Sequence, residues 1–400
     1  MNPMITKTTR IVLMTCTALM LVAGAAIAEP EITWIGPEYP TDLNADGTVI
    51  VGNRGDGTYD VFRWTEETGV VELGQSTAQT VGGGAGTPDV SDDGLHVSAT
   101  VCDADTLYRT QGIWTKGVGW KFAIPPIPPT GGVLDNSVAS CWGLSGDGST
   151  VCGFFWRPDY GLTTGSAHAN TWNQNDSTFV HLPTPIRNCR ANDTNVDGTI
   201  AVGWAENDFG TWYPGIWEEG TFTYLTDRSA GCEAEGISID EQIVYGCSLD
   251  TLTNIRNAAI WTRDGSGGWD QQLLGALPGT FPYDGYVTCN DITEDNSLIV
   301  GYNGFDRYTH TAFVWTLEEG MMSAEAYFTD RGLTLPAGYE FASLTGVSHD
   351  GNVFAGFAWE TTSYPYTPHG FLIRMDTVAS APEAPAHRGL ALETNYPNPF

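Results

Sequence analysis

The sequence predicts an all-β fold, a seven-bladed β-propeller of four-stranded antiparallel blades. Three observations carry it: a repeat anchored on seven spaced aspartates, a tryptophan-ended strand after six of them, and a spare N-terminal strand where the last repeat lacks one.

The anchors are Asp46, Asp93, Asp147, Asp197, Asp240, Asp295 and Asp350. Two residues before each stands a small polar residue: Asn44, Ser91, Ser145, Asn195, Ser238, Thr293 or Ser348. Glycine follows directly in five copies, with Glu241 and Asn296 in the other two, and recurs six residues on except at Ala99. Asp-Gly between short apolar runs such as Val49-Ile50-Val51 is a β-hairpin signal. Gly or Asn takes the positive φ of the turn, and the polar residue before it bonds nearby backbone. Glu241 fits this scheme worst, so its turn is expected to differ in type.

A further strand ends in Trp64, Trp114, Trp172, Trp217, Trp261 or Trp315, with Phe371-Leu372-Ile373 in the seventh copy. A polar turn then leads to a short fourth strand, as in Val70 to Leu73 or Phe222 to Leu225. The last unit stops at Arg374 without one, and Ile32-Thr33-Trp34-Ile35-Gly36 resembles the missing piece. Pairing of 32–36 with 370–374 would close the ring, whereas an open β-solenoid, the alternative, would leave them apart.

Outside the ring, Lys7 and Arg10 precede an apolar run from Ile11 to Ala23 and a small-x-small site at Ala26-Ile27-Ala28, a signal peptide over 1–28. The ring is expected over 29–377, an Ala/Pro-rich linker over 378–393, and a separate segment over 394–400. Cleavage takes the net charge from -31 to about -33, leaving Lys116 and Lys121 as the only lysines. Such a surface repels phosphate backbones, which excludes nucleic acid as a partner. No later segment is apolar enough to span a membrane, and a monomer is expected.

With its Asp-Gly turns and tryptophans, the repeat resembles the extracellular HAF-repeat family. The carrying residues are His310-Thr311-Ala312-Phe313-Val314-Trp315, His369-Gly370-Phe371 and the looser His168-Ala169-Asn170-Thr171-Trp172. The resemblance covers roughly 41–374 and implies a propeller, but no reaction. Asn395-Tyr396-Pro397-Asn398-Pro399-Phe400 is similar to the opening of the C-terminal sorting domain of type IX secretion substrates. That resemblance implies a longer native chain, secreted or held on the surface of a Gram-negative bacterium.

Four units read Asp-x-polar-x-Asp, a spacing that can converge oxygens on Ca²⁺. The best copies are Asp42-Asn44-Asp46 and Asp193-Asn195-Asp197, the candidate metal ligands. Asn53 and Trp204 stand where an EF-hand needs its twelfth-position acid, and Gly143, Gly236 and Gly346 replace the first Asp in three units. Structural turns are the stronger reading, and a low-affinity calcium site the alternative. Cys141 and Cys152 flank Asp147 nearly symmetrically, as Cys232 and Cys247 flank Asp240, so each pair is expected to form a disulfide across its hairpin. Cys102, Cys189 and Cys289 show no zinc or redox spacing.

The tryptophans at the strand ends and the three signature histidines are expected to pack or hydrogen-bond within the blades, whereas Trp120, Trp142, Trp204 and Trp212 fall outside the register. Ser91-Asp92-Asp93-Gly94 has the wrong spacing for a sialidase-type box, and no catalytic constellation stands out. The reading is a secreted or cell-surface, non-catalytic scaffold binding an extracellular carbohydrate or protein where loops such as Gly82 to Pro88 and Pro125 to Gly132 converge. A secreted polysaccharide hydrolase or lyase is the alternative.

Overall fold

The computed structural model describes residues 30–76, 86–102, 109–123, 139–157, 166–183, 187–226, 231–282, 284–305 and 309–375. The signal segment, the linker, the C-terminal segment, and 82–85 and 125–132 of the two loops named above lie outside them.

Seven four-stranded antiparallel sheets follow one another, and in six the strand order is the chain order. Blade 1, for example, consists of Glu38–Leu43, Ile50–Arg54, Asp60–Thr65 and Gly69–Ser76. The first strands of blades 2 to 7 are Asp89–Val90, Ala139–Leu144, Cys189–Thr194, Ala234–Ile237, Tyr286–Ile292 and Tyr339–Val347. All seven first strands contribute to one central channel, so they form the inner wall of the ring. In blade 7 the outer strand is Glu31–Gly36, paired antiparallel with Thr367–Arg374 from Glu31 opposite Arg374 to Gly36 opposite Gly370. The expected closure is therefore formed, and the ring is a propeller.

The repeated turn chemistry has one geometry in all seven blades. The anchor Oδ1 accepts the amide two residues on, at 2.8 to 3.1 Å, as Asp147 does from Ser149 and Asp240 from Gln242. The polar side chain at -2 accepts the amide at +3, as Asn44 does from Val49 at 2.7 Å and Ser348 from Val353 at 2.9 Å. The residue after the anchor has φ between 60° and 72° throughout. Glu241 adopts the same turn, contrary to the expectation for it: its amide bonds Ser238 O at 2.8 Å. What offsets its left-handed backbone is a contact that glycine could not make, since its Oε1 accepts from Asn195 Nδ2 of blade 4 at 2.8 Å. Asn296 reaches back to Asp240 Oδ2 of blade 5 in the same way, at 2.9 Å. Glycine serves elsewhere because the turn abuts the preceding blade, and a Cβ at Gly47 would stand 2.5 Å from Val353 Cβ.

Packing follows the period-two pattern, with each blade-to-blade interface filled by the two facing sheets. Trp64, Trp172, Trp217, Trp261 and Trp315 are buried, Trp114 is half-buried, and Ile373 occupies the corresponding position in blade 7 opposite Phe354. Leu43, Ile50, Phe62 and Trp64 pack on Val353, Ala355 and Leu372, so blades 1 and 7 meet through a continuous core. The one departure from all-β structure is Ala324–Thr329, a single helical turn capped by Ser323 that drives Phe328 between Phe341 and Phe354.

Closure rests on Trp34, whose ring lies 4.7 Å from that of Tyr339 and edge-on to Phe371 at 6.3 Å. Trp34→Ala is expected to lower stability by about 2 kcal/mol. Removing 30–36 should cost more and make blade 7 the first to exchange amide protons. Uniform protection across the blades in the shortened chain would contradict this account.

Candidate functional site

Six of the seven inner strands, all but the short Asp89–Val90 of blade 2, carry a β-bulge just before the anchor. In blade 1, Pro40 faces Gly52 and Asp42 faces Val51, leaving Thr41 unpaired. The same step skips Trp142, Asn192, Glu235, Asn290 and Thr345 in blades 3 to 7. Such a bulge turns two successive side chains to one side of the strand. Here that side is the channel, a cavity of about 530 Å³ that the bulged residues line.

The position four before the anchor alternates between aspartate and glycine. Where it is aspartate, one carboxylate oxygen accepts an amide of the next blade's inner strand. Asp42 takes Val90 N at 2.9 Å, Asp89 takes Leu144 N at 2.7 Å, Asp193 takes Ile237 N at 3.1 Å and Asp291 takes Val347 N at 2.7 Å. For Asp89, Asp193 and Asp291 the other oxygen accepts the next amide of its own strand, at 2.7 to 2.8 Å. Where the position is glycine, something else fills the gap. A Cβ at Gly143 would meet Asn192 O at 2.6 Å, one at Gly346 would meet Leu43 Cδ2 at 2.3 Å, and one at Gly236 would meet the Tyr245 hydroxyl at 2.1 Å. Neighbouring blades are thus latched by carboxylate, or by direct contact at Gly143 and Gly346, while at Gly236 the space is filled from within the same blade.

Desolvation by burial is the leading cause that raises the pKa of all four aspartates. Asp291 is pushed up to about 7. Asp42 is driven well above the carboxyl range by burial, then by the charge of Asp89, to which it is hydrogen-bonded. For Asp89, burial outweighs the opposing hydrogen bond with Asp42, so the two carboxyls titrate as one pair with both pKa values raised.

Toward the rim formed by the blade-to-blade loops lies a second cluster. Arg190 stacks its guanidinium 3.6 Å over the Trp142 ring, pairs with Glu233, and donates from Nε to Asn192 Oδ1 at 2.6 Å. Asn192 Nδ2 donates to Glu233 at 3.0 Å and Glu235 at 3.3 Å, and Thr288 donates to Glu235 at 3.2 Å. Burial first, then the charge of Glu233, pushes Glu235 up to about 8. Burial thus favours the protonated form of Glu235 near neutral pH.

The structure splits the residues proposed as calcium ligands. Asp42 and Asp193 face the channel, while Asp46 and Asp197 bind their turns. Asn44 and Asn195 spend their side-chain oxygens on Val49 N and Ile200 N. The sets are not convergent. In blade 3 the bulge places Cys141 opposite Gly153 and Cys152 opposite Gly143, one step from facing each other. The cysteines of both expected pairs stand as buried thiols, with Cys247 held high by its hydrogen bond to Cys232 and by burial. Of the signature histidines, His168 is buried, His310 meets the Tyr286 hydroxyl at 2.7 Å beside the channel, and His369 meets Glu360 at 3.1 Å. Among the described residues no tryptophan is exposed.

No family model and no curated protein matches the chain, so the resemblances to HAF repeats and to the sorting domain rest on the residues quoted above. Solved structures do match. One is an oligogalacturonate lyase in complex with manganese, with a TM-score of 0.54 and 12% identity over 88% of this chain and 94% of that one. A prolyl endopeptidase matches with a TM-score of 0.50 and 12% identity over 86% and 50%. TolB from Acinetobacter baumannii matches with a TM-score of 0.44 and 10% identity over 70% and 64%. The chain thus spans half the length of the endopeptidase and under two thirds of TolB. At these identities the likeness is one of fold.

A carboxyl whose pKa is higher folded than unfolded binds extra protons in the native state, so its contribution to stability falls as pH rises. For Asp291 that window runs from 3.8 to about 7, and for Glu235 from 4.5 to about 8. Asp291→Asn and Glu235→Gln should each flatten the decline in urea-unfolding free energy across its window. Curves parallel to the parent's would refute the shifts.

Proposed function

We propose that the chain is an extracellular binding scaffold without catalysis, secreted from or displayed on a Gram-negative cell, whose ligand enters the channel past Trp142, Asn192 and Glu235. The supporting observation is a contrast within the repeat. Turn residues recur with the same bonds in all seven blades, whereas the channel-facing position five before the anchor reads Thr41, Pro88, Trp142, Asn192, Glu235, Asn290 and Thr345. A ring needs similar interfaces but no particular bulge residue. Keeping a half-buried glutamate and an arginine stacked on Trp142 in one sector is costly for folding and useful for recognition. The N-terminal signal pattern supports export, and among the described residues no helix is long and apolar enough to cross a membrane.

A second reading, a polysaccharide hydrolase or lyase, draws support from Glu235 as an acid held protonated at neutral pH, with Glu233 sharing the same Asn192 amide. Glycan and peptide arrays probed with the exported protein separate the two. Capture weakened about tenfold or more by Trp142→Ala, with no new reducing or unsaturated ends, fits the scaffold. Turnover abolished by Glu235→Gln with capture retained would replace it by the enzyme.

Export would also carry the thiols into an oxidising compartment, where we propose that Cys141–Cys152 and Cys232–Cys247 close. Thiol counting on denatured exported protein should then find three free cysteines, and seven would refute the pairs. Melting with and without Ca²⁺ tests the calcium alternative, which predicts a rise that Asp193→Asn removes.

A further inference from the structure

The described residues lining the channel include six carboxyl groups, those of Asp42, Asp89, Asp92, Asp193, Glu235 and Asp291, and no lysine or arginine. The wall between them is aromatic, formed by Tyr39, Trp142, Tyr245, Tyr302 and Phe357. An independent feature points into the same space. Tyr245 is only 6% exposed and its ring occupies the place that Gly236 leaves open. Among the described residues no hydrogen bond to its hydroxyl is found, and the charges that act on it are those of Asp291, Asp193, Asp42 and Asp89. A buried phenol without a partner is a group awaiting one.

We propose that the channel binds a protonated amine on a slender apolar chain, its ammonium group seated among Asp42, Asp89, Asp193, Asp291 and the Tyr245 hydroxyl. This rests on the reading that the channel is the ligand site, and it names the ligand class. An ammonium offers three donors to carboxylates whose remaining lone pairs face inward, while the phenol accepts one and donates to a carboxylate. The aromatic wall suits the alkyl or aryl part and adds cation–π attraction. An anion would find no counter-charge, and a neutral polyol would leave the carboxylates uncompensated. A bare metal ion is far smaller than the cavity, and among the described residues no group of three or more acidic, His or Cys side chains is placed to hold one.

Proton balance gives the proposal a signature. The ammonium takes the place of the proton shared by Asp42 and Asp89, which passes to the buffer, and no covalent bond to carbon changes. The other groups facing the seat are Asp92 and His349 at the turn-side rim, and Tyr39, Glu235, Tyr302 and His310 on the side of Trp142. Arg190 and Glu233 stand behind Glu235 as a closed pair.

The test is calorimetry on the exported protein with putrescine and n-butylamine, and n-butanol as the uncharged control, in two buffers of different ionisation enthalpy. Saturable binding of an amine is expected, with about one proton released and affinity rising about a hundredfold from pH 5.5 to 7.5. Asp193→Asn should weaken it about tenfold, and Tyr245→Phe about threefold at unchanged melting temperature. Equal binding of n-butanol, or no amine binding to protein whose array capture still depends on Trp142, overturns the amine while leaving the channel as the ligand site. Stoichiometric displacement of the amine by tighter-binding Ca²⁺ overturns it in favour of a metal. If neither Trp142→Ala nor the aspartate variants alter any capture, both readings fall.

Discussion

The bulge found in six of the seven inner strands is the constraint from which most of the ring's inner wall follows. A regular strand would send alternate residues into the channel and the neighbouring interfaces, and it would give the ring no direct tie between one inner strand and the next. The extra residue frees one side chain to face the channel and aims the following one at the next blade's backbone. Asp42, Asp193 and Asp291 use that aim to complete an amide's bonding across a blade boundary, as Asp89 does from the short strand of blade 2. Their burial is thus a by-product of ring assembly, and the high pKa values follow from that burial.

Exceptions in the repeat become intelligible on the same terms. Glu241 and Asn296 accept a left-handed backbone because their side chains reach the preceding turn. Gly143, Gly236 and Gly346 lack the carboxylate latch because another group already stands in its place. The three glycines oppose Cys152, Tyr245 and Ala355 in the neighbouring strand, so the two positions vary together within the chain.

Much of the ring was legible in the sequence because its signals are local. Asp-Gly turns, the polar residue at -2 and the strand-ending tryptophans each act within one hairpin, and the orphan strand at 32–36 could be matched to a gap by counting. The site was less legible because it is made between blades. Asp42 and Asp193 stood out, but their spacing from Asp46 and Asp197 suggested a shared ion, whereas the bulge turns the two members of each pair to different tasks. The residues at -5 drew no notice apart from Trp142, since only the fold shows that a variable position faces a common cavity. One signal was available: Tyr245 stands five after its anchor, where the other units have Val51, Ser98, Cys152, Val202, Val300 and Ala355, and Gly236 stands opposite it. A bulky residue against a glycine marks a side chain that crosses into another's space.

The pairing of Glu31–Gly36 with Thr367–Arg374 joins residues more than three hundred positions apart, the most remote strand pairing among the described residues. A polypeptide delivered N-terminus first must hold that strand unpaired until the whole of blade 7 has arrived, so ring closure comes last and at the highest cost in loop entropy. Until then an apolar edge carrying Trp34 is open to pairing with other chains, which makes the interval before ring closure the period of greatest aggregation hazard.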